Sequence, residues 1–534
     1  MTRSPAVLTS AAFVLSVVSV PVAGCSFGES GIDPPTNRIF LPSGMAADPD
    51  YPFLYVVNSN SDLRFNAGTV VAVDLEKAAQ TLADARASRD TNPPIPTCSK
   101  TRFSRTEPVE DNYCCRDLVD SNILNCNEPQ YVRSEATISI GSFGGAVELQ
   151  HNPYLHDTTI RRLFVAVRAE PSITYADVKV VANFSGSADG GGVDADGGTS
   201  SYTVSMRCTG AHDDSSAQPA NAYCDDNWRV RRPSGATPGS EALPEEPHVL
   251  ALDETREILF VGHLTVNANA QIQGGGVSAL DISCPSSVYF AGLSQTAFLP
   301  STASQAVAEL SPGDPAKPDM LIYATARNSA QITGMVLREP GQAAPLTCTS
   351  TGLAPADGRD LTLVPGENFL SPAFLPNGSD VRGIIFFTNP TGRPEAFVLH
   401  RNDSDTTANP PALVLLDRHQ LPDGTPANSV MGILDVCNGP TAMQMHNAGE
   451  VDRIYVTCYD DGEIYVIDPV ALVVTAIIDV GTGPTSLVFS PRDPGVAYVA
   501  SFANSHLSVI DIAPGSPTEN HVVQRIGLPH GYGE

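Results

Sequence analysis

Apolar and polar positions alternate over short stretches of this chain, and one such pattern recurs seven times. Each copy has an aromatic side chain in second position and is followed by a turn and another apolar run. The copies are residues 54–58 (LYVVN), 163–167 (LFVAV), 259–263 (LFVGH), 322–326 (IYATA), 396–400 (AFVLH), 454–458 (IYVTC) and 497–501 (AYVAS). Short runs of this kind predict β-strands. Because a strand–turn–strand unit cannot bury both of its faces alone, the copies must stack on one another.

The last two copies show the complete unit of four short strands. Residues 439–443 (GPTAM), 453–458, 463–468 and 476–481 form one set, and residues 483–487 (GPTSL) begin the next. Over residues 437–530 the chain resembles the YVTN-repeat family of seven-bladed β-propellers, which is similar to lactonase-type propellers. The resemblance is weaker over residues 38–436. It implies an all-β propeller of seven four-stranded antiparallel blades covering residues 37–534.

The strands of each blade are labelled a to d outward from the axis. The predicted c strands are residues 69–75, 174–180, 277–282, 332–337, 412–417, 463–468 and 507–512. Segments typical of strand d occur at both ends of the chain, at residues 38–42 and 525–529. Seven blades need only seven d strands. We therefore expect the N-terminal segment to complete the last blade, because pairing the two chain ends removes an open edge.

Three long insertions are predicted between strands c and d, at residues 76–135, 181–227 and 338–368. All c-to-d connections of a propeller emerge on one face, so the insertions should form a cap on that face. Residues 185–200 within the second insertion are rich in Gly, Ser and Asp. Their composition favours a solvated loop, although Asp194 and Asp196 leave weak calcium binding as an alternative.

The N-terminus predicts export. Arg3 precedes an uncharged apolar stretch that ends in Val22-Ala23-Gly24-Cys25. This segment resembles the lipobox of bacterial lipoproteins, which implies removal of residues 1–24, lipidation of Cys25 and a tether at residues 25–36. An ordinary secretory signal peptide is the alternative. Ser26 favours the outer membrane over the inner one, so we expect a lipoprotein of the cell envelope, periplasmic or exposed on the surface.

Ten further cysteines fit disulfide bonds in an oxidising compartment. The candidates are Cys98, Cys114, Cys115, Cys126, Cys208, Cys224, Cys284, Cys348, Cys437 and Cys458. We expect the pairs Cys208–Cys224, Cys284–Cys348 and Cys437–Cys458. The first four cysteines allow three connectivities, in which a bond between neighbouring Cys114 and Cys115 is disfavoured. A zinc site formed by these four is the alternative, but the sequence has no Cys-x-x-Cys pair.

The charge balance excludes one class of partner. The chain has a net charge of −28 and only four lysines. So acidic a surface repels nucleic acid, although single-stranded DNA binding is known among similar propellers. We expect a monomer without cofactor or metal. No nucleophile elbow, zinc-protease motif, phosphate loop or Cys-x-x-Cys-His haem motif occurs, so no catalytic residue is predicted.

Candidate chemistry collects where the b strands end. As the resemblance implies, these ends lie near the mouth of the central channel, where propellers commonly bind ligands. Five cationic or titratable side chains fall at the last position of strand b or one residue beyond it: Arg168, His263, Arg327, His400 and Arg401. Arginine forks bind carboxylate and phosphate groups, so a small anionic ligand is predicted. Pairing of these groups with turn carbonyls or with Asp and Glu is the structural alternative.

The sequence thus predicts an exported, lipid-anchored propeller that acts as a binding or scaffold protein at the bacterial envelope. Its partner would be an envelope protein, a polysaccharide or a small ligand. A lactonase-type hydrolase acting on a sugar lactone is the alternative function, and it rests on the resemblance alone.

Overall fold

The computed structural model describes residues 31–87, 95–98, 113–153, 158–183, 201–210, 218–231, 243–264, 275–284, 288–294, 307–314, 319–327, 329–337, 363–370, 380–401, 410–448 and 451–527. The predicted signal peptide, Cys25 and the possible calcium loop at residues 185–200 lie outside these ranges. No helix among the described residues is long and apolar enough to cross a membrane.

Strands dominate the described chain. In chain order the elements of the first half are β1 (Pro42–Ala47), β2 (Phe53–Asn58), β3 (Gly68–Asp74), α1 (Leu75–Ala87), β4 (Cys114–Arg116), β5 (Leu124–Cys126), β6 (Ile138–Ile140), β7 (Gly144–Gln150), β8 (Ile160–Val167), β9 (Ser172–Asn183), β10 (Ser201–Arg207), β11 (Ala222–Tyr223), β12 (Arg229–Arg231), β13 (Pro247–Asp253), β14 (Ile258–His263), β15 (Gly276–Asp281) and β16 (Tyr289–Ser294). The second half continues with β17 (Val307–Pro312), β18 (Ile322–Ala326), β19 (Gln331–Leu337), β20 (Leu363–Leu370), β21 (Val381–Thr388), β22 (Pro394–His400), β23 (Ala412–Asp417), β24 (Ser429–Asp435), β25 (Pro440–Ala448), β26 (Val451–Cys458), β27 (Glu463–Asp468), β28 (Val473–Asp479), β29 (Pro484–Phe489), β30 (Val496–Ser501), β31 (His506–Asp511) and β32 (His521–Ile526).

These strands form seven sheets, each built on a four-stranded antiparallel blade, which confirms the predicted seven-bladed propeller. Strands a to d of the blades, from first to last, are β1-β2-β3-β6, β7-β8-β9-β10, β13-β14-β15-β16, β17-β18-β19-β20, β21-β22-β23-β24, β25-β26-β27-β28 and β29-β30-β31-β32. The predicted c strands agree with the observed ones to within a few residues. Continuous apolar runs locate them well because strands b and c are buried on both faces.

The apolar core lies between neighbouring blades. Six separate clusters fill the seven interfaces, one of them spanning the first three blades. Each b strand supplies side chains to both neighbours, and β2, for example, is buried over its whole length. Burial of this kind stabilises by roughly 25 cal/mol per Å² of apolar surface. A single blade cannot provide it, so the ring has to close.

The chain closes its ring differently from the expectation, and the predicted role of residues 38–42 was wrong. The d strand of blade 7 is β32, from the C-terminus, and residues 38–41 form no strand. Instead, the blade 1 insertion adds β5 and β4 to the outer edge of β32, with β5 parallel to β32. Leu41 N also donates to Ser505 Oγ at 3.1 Å. The edge of blade 7 is therefore covered by a ribbon from blade 1.

Disulfides hold the first two insertions. Because the first four cysteines are all in disulfides, the zinc alternative for them is excluded. The bonds are Cys98–Cys115, Cys114–Cys126, Cys208–Cys224 and Cys437–Cys458, and the last two confirm predicted pairs. Cys284 is also in a disulfide, and its predicted partner Cys348 lies outside the described residues.

Parts of the predicted insertions belong to blades. Residues 181–227 contain β10, which pairs with β9 as the d strand of blade 2, while β12 pairs with the other end of β9. The third insertion overlaps β20, which begins at Leu363. Low apolar content between strands c and d concealed these strands, because an outer strand buries only one face.

Candidate functional site

A channel of about 1580 Å³ runs between the seven innermost strands. It is lined by strand a of every blade and by the residues that follow several b strands. The ends of the b strands and the starts of the a strands define one mouth, which we call the rim. The channel is a concave site in which a ligand can be enclosed.

Every a strand carries a β-bulge near the rim. The register shifts by one residue between Pro42 and Gly44 of β1, and the other six a strands shift at the equivalent place. A bulge re-aims one side chain without breaking the sheet. The single extra residues are Ser43, His248, Ala308, Arg382, Thr441 and Thr485, and all of them line the channel.

In three blades the extra residue is a hydroxyl that joins the next blade. Thr441 Oγ1 donates to Pro484 O at 3.2 Å, and Thr485 Oγ1 donates to Pro42 O at 3.1 Å. Ser43 Oγ donates to Gly144 O at 2.7 Å. These bonds form a belt around blades 6, 7, 1 and 2, so a Ser or Thr at this position serves the scaffold.

Blades 3 and 5 place a different chemistry at the same position, namely His248 and Arg382. Three arginines that follow b strands, Arg168, Arg327 and Arg401, line the same mouth. One half of the rim is thus held by hydroxyls and the other half carries four guanidinium groups. In a chain of net charge −28 this is a concentrated cationic site.

Only part of this positive charge is neutralised by the protein. Arg382 contacts Asp380 at 2.6 Å, whereas Arg168 and Arg401 have carboxylates only at 3.6 and 3.9 Å. Arg327 has no ion pair among the described residues and instead lies with Nη2 3.1 Å from His248 Nε2. Burial lowers the pKa of Arg327, and Arg382, Arg168 and Arg401 lower it further, against the opposing effect of the Asp380 carboxylate. Burial lowers the pKa of His248 to about 3, and the charges of Arg327, Arg168 and Arg382 add to this shift, so the imidazole is neutral.

Several rim donors also lack partners. The Nε atoms of Arg168, Arg327 and Arg382 and the Nδ1 atom of His248 are buried without a hydrogen bond. Leaving a buried donor unsatisfied costs about 1–3 kcal/mol. These atoms are enclosed by protein, so a bound anion would accept instead from the guanidinium groups that stay open, as at Arg168 and Arg401, whose side chains are 37% and 33% exposed.

Two carboxyl groups lie further along the channel, Glu148 on β7 and Glu309 on β17. Burial raises the pKa of Glu148 to about 8, and the nearby carboxylates Glu309 and Glu254 add to the shift. Burial also raises the pKa of Glu309 to about 7, against the pull of Arg382. Both side chains keep some surface open to the channel. They can therefore exchange protons near neutral pH.

The opposite end of the channel is compensated internally. His151 Nδ1 lies 2.6 Å from Glu254 Oε1, and Arg161 is paired with Asp50. The hydrogen bond to Glu254 raises the pKa of His151. This end lacks the excess positive charge of the rim.

Among the predicted site residues, the structure brings Arg168, Arg327 and Arg401 together at the rim. His263 and His400 are fully buried at the ends of β14 and β22 and do not line the channel. His263 Nε2 bonds Ser278 Oγ at 2.8 Å, and burial lowers the pKa of His263 to about 3. Burial likewise lowers the pKa of His400 to about 4. These two histidines belong to the blade interior.

Sequence reasoning missed His248, Arg382, Glu148 and Glu309. A usable signal existed for the first two. Thr441 and Thr485 are the third residues of the Gly-Pro-Thr segments that open strand a, and His248 and Arg382 occupy the corresponding position. The two glutamates had no signal, because facing the axis depends on the register set by the bulge.

The described residues contain no group of three or more His, Cys, Asp or Glu side chains placed to hold a metal ion. The channel instead combines a guanidinium rim, a neutral imidazole and two proton-exchanging carboxyls. Such a set can bind an anion and can shuttle a proton. The protein is thus a seven-bladed β-propeller with a cationic channel mouth.

No protein-family model matches the sequence, and no curated protein is similar to it by sequence. Solved structures resemble the fold at low identity. Sqt1 of Saccharomyces cerevisiae is 9% identical with a TM-score of 0.44, covering 91% of this chain and 85% of Sqt1. A protein of Bacteroides uniformis, provisionally assigned as a 6-phosphogluconolactonase, is 10% identical with a TM-score of 0.42, covering 83% of this chain and 86% of that one. At these values the similarities assign no function.

Proposed function

We propose that this protein is an exported, lipid-anchored β-propeller that binds a small anionic ligand at the rim of its channel. One observation carries the proposal, the convergence of Arg168, Arg327, Arg382 and Arg401 at one mouth of an acidic chain. Their incomplete neutralisation leaves the partly exposed side chains of Arg168 and Arg401 available to carboxylate or phosphate oxygens. Membership of the YVTN-repeat family is part of the proposal and rests on the repeat at residues 437–530.

The first test is calorimetric binding of citrate and succinate to the mature protein at low salt. We expect Arg327→Ala and Arg401→Ala each to weaken binding about tenfold or more, since hydrogen bonds to charged groups contribute roughly 1.5–3 kcal/mol. The melting temperature should change little, because neither side chain has a close ion pair. Arg492→Ala, at an exposed arginine away from the channel, is the control. Unaltered anion binding in both rim variants would contradict the proposal.

The cellular site is proposed on separate grounds. The lipobox-like segment ending in Cys25 and the export-type N-terminus point to the cell envelope. The disulfides of the described residues support an oxidising compartment. We propose that the face carrying the insertions contacts another envelope component, protein or polysaccharide. Cross-linking in whole cells followed by mass spectrometry tests this contact, and recovery of the protein alone would contradict it.

A lactonase-type hydrolase is the second candidate, and one observation favours it. Glu148 holds a proton near neutrality in the same channel as four guanidinium groups. A carboxyl of this kind is suited to general acid or base catalysis, and guanidinium groups stabilise an oxyanion. Hydrolysis of a panel of sugar lactones tests it, and Glu148→Gln should then lower kcat by about 100-fold or more. Turnover no faster than in buffer would leave the binding function alone.

A further inference from the structure

Positive and negative charge are separated along the channel axis. Glu309 pairs with Thr325, two residues before Arg327, and Glu148 pairs with Phe164, four residues before Arg168. At about 3.3 Å per strand residue, the glutamates start roughly 7 and 13 Å from the rim arginines. The long side chains reduce these distances. The channel thus has a cationic end and an acidic middle, several ångströms apart.

The acidic middle has no counter-cation of its own. Among the described residues, neither Glu148 nor Glu309 has a Lys, Arg or His within ion-pair distance. The electrostatic neighbours of Glu148 are two other carboxyls, Glu309 and Glu254, whereas Glu309 accepts a hydrogen bond from the backbone N–H of Leu310 at 3.2 Å and is also attracted by Arg382. Protonation is the protein's own way to relieve this repulsion. A ligand cation would relieve it equally well and would add hydrogen bonds.

The channel also leaves space and a polar wall at this depth. Gln444 of β25 pairs with Tyr455 at the level that corresponds to the pairing of Glu148 with Phe164, and its side chain is exposed to the channel. At the same level the channel is lined by Ala251, Ser311, Ile385 and Val488. A chain of four or five atoms can therefore pass between the rim and the two glutamates.

We propose that the channel binds a zwitterion, with its carboxylate among Arg168, Arg327 and Arg382 and its ammonium group between Glu148 and Glu309. The inference deepens the proposed function, since it names the class of ligand for the same rim. The axial separation favours an ω-amino acid or a molecule with similar charge spacing over an α-amino acid, whose two charges adjoin. Binding neutralises the uncompensated groups of both ends at once, which neither a plain anion nor a plain cation achieves.

Three probes of equal chain length test the proposal by calorimetry on the mature protein: 5-aminopentanoate, pentanoate and pentylamine. We expect 5-aminopentanoate to bind at least tenfold more tightly than either of the others. In the double variant Glu148→Gln with Glu309→Gln, 5-aminopentanoate should bind no more tightly than pentanoate. The affinity for pentanoate should stay within about threefold of that of the unaltered protein. Glu135→Gln, at an exposed glutamate, should leave all three affinities unchanged.

The outcomes separate this inference from the proposed function. Equal affinity of pentanoate and 5-aminopentanoate for the unaltered protein overturns the zwitterion, even if citrate still binds and depends on Arg327. Pentylamine as tight as 5-aminopentanoate also overturns it, because the rim would then contribute nothing. If citrate, succinate and all three probes fail to bind, the anion site itself is wrong. The comparison of probes needs no variant, so a folding defect cannot obscure it.

Discussion

At the scale of single residues, one position decides what each blade contributes to the rim. The extra residue of the a-strand bulge is Thr in blades 6 and 7 and Ser in blade 1, where it bonds the next blade. In blades 3 and 5 the same backbone presents His248 and Arg382 to the channel. The Ser and Thr residues of the repeat therefore serve as a reference. His248 and Arg382 differ from them by placing side chains that can bind a ligand at the same position.

The substitution Arg382→Thr returns blade 5 to the residue of blades 6 and 7. Citrate affinity should fall about tenfold or more, because one guanidinium leaves the rim. The melting temperature should stay within a few degrees, since threonine fits this bulge twice elsewhere. Calorimetry and thermal unfolding measure the two effects. Equal citrate affinity in the variant and in the unaltered protein would show that Arg382 is structural.

Glu148 predicts how stability depends on pH. Its folded pKa of about 8 lies above the ordinary value of 4.5, so the folded state holds the proton more tightly than the unfolded state. The stability that this gives is complete below about pH 4.5 and is lost as the pH rises toward 8. Glu148→Gln cannot lose a proton. We expect it to melt about 1 to 4 °C above the unaltered protein at pH 8 and to match it near pH 4.5.

Glu135→Gln is the matched control, because Glu135 is exposed and does not line the channel. Its melting temperature should follow that of the unaltered protein across the range. If the melting temperature of Glu148→Gln exceeded that of the unaltered protein by the same amount at pH 8 and pH 4.5, Glu148 would not be a buried, proton-holding carboxyl.

At the scale of elements, the ribbon formed by β4 and β5 closes the ring. It is joined internally by Cys114–Cys126 and tied to the preceding segment by Cys98–Cys115. Arg525 Nη1 lies 3.2 Å from Asp117 Oδ2, which fastens β32 to the turn between β4 and β5. Only three residue pairs join β5 to β32, so the cross-links hold the ribbon in shape.

Removing Cys114–Cys126 by the double change to Ser should release this ribbon. A disulfide typically contributes about 2–4 kcal/mol, so the melting temperature should fall by several degrees. Amide exchange should rise in β32, whose outer edge loses its cover. Hydrogen-exchange mass spectrometry under native conditions measures this change.

The matched control changes Cys208 and Cys224 to Ser. That bond closes a loop of similar length on blade 2, with a sequence separation of 16 against 12. It should lower stability while leaving exchange in β32 unchanged. Similar exchange of β32 in both double variants would mean that the ribbon does not protect blade 7.

At the scale of the whole molecule, seven blades that are unstable alone share one set of interfaces and one channel. The chain as a whole is strongly acidic, whereas the rim of its channel is cationic. We expect such a field to repel anions from the outer surface and to favour their binding at the mouth. The protein should accordingly select small anions over polyanions such as nucleic acids.

The proposed lipid anchor gives a prediction at the same scale. Cys25→Ser should move the protein from the membrane fraction to the soluble fraction of the envelope, since no other lipid attachment is proposed. Fractionation of cells that express each form, with detection by antibody, measures the shift. Retention of the variant in the membrane fraction would point to another attachment.

How far the sequence predicts the fold follows from burial. Strands b and c are apolar on both faces, so runs such as residues 454–458 can be recognised as strands from the sequence. The repetition of these runs predicts the ring of blades. The d strands bury one face only, and β10 inside the second insertion was concealed for that reason. The pair Cys208–Cys224 followed from isolation in sequence, and Cys437–Cys458 from the two strand ends that the repeat places on one face.

The sequence by itself determined the seven-fold repeat and three of the arginines at the rim, because each of these follows from local pattern, and it is also the sole basis of the proposed lipid anchor at Cys25. Tertiary structure alone decided which end closes blade 7, since β32 and residues 38–42 read alike and only packing chooses between them. It also decided that His263 and His400 turn inward, and that Glu148 and Glu309 share the channel with Arg382. Those placements depend on bulges and on the ring itself, in which residues far apart along the chain meet around one axis.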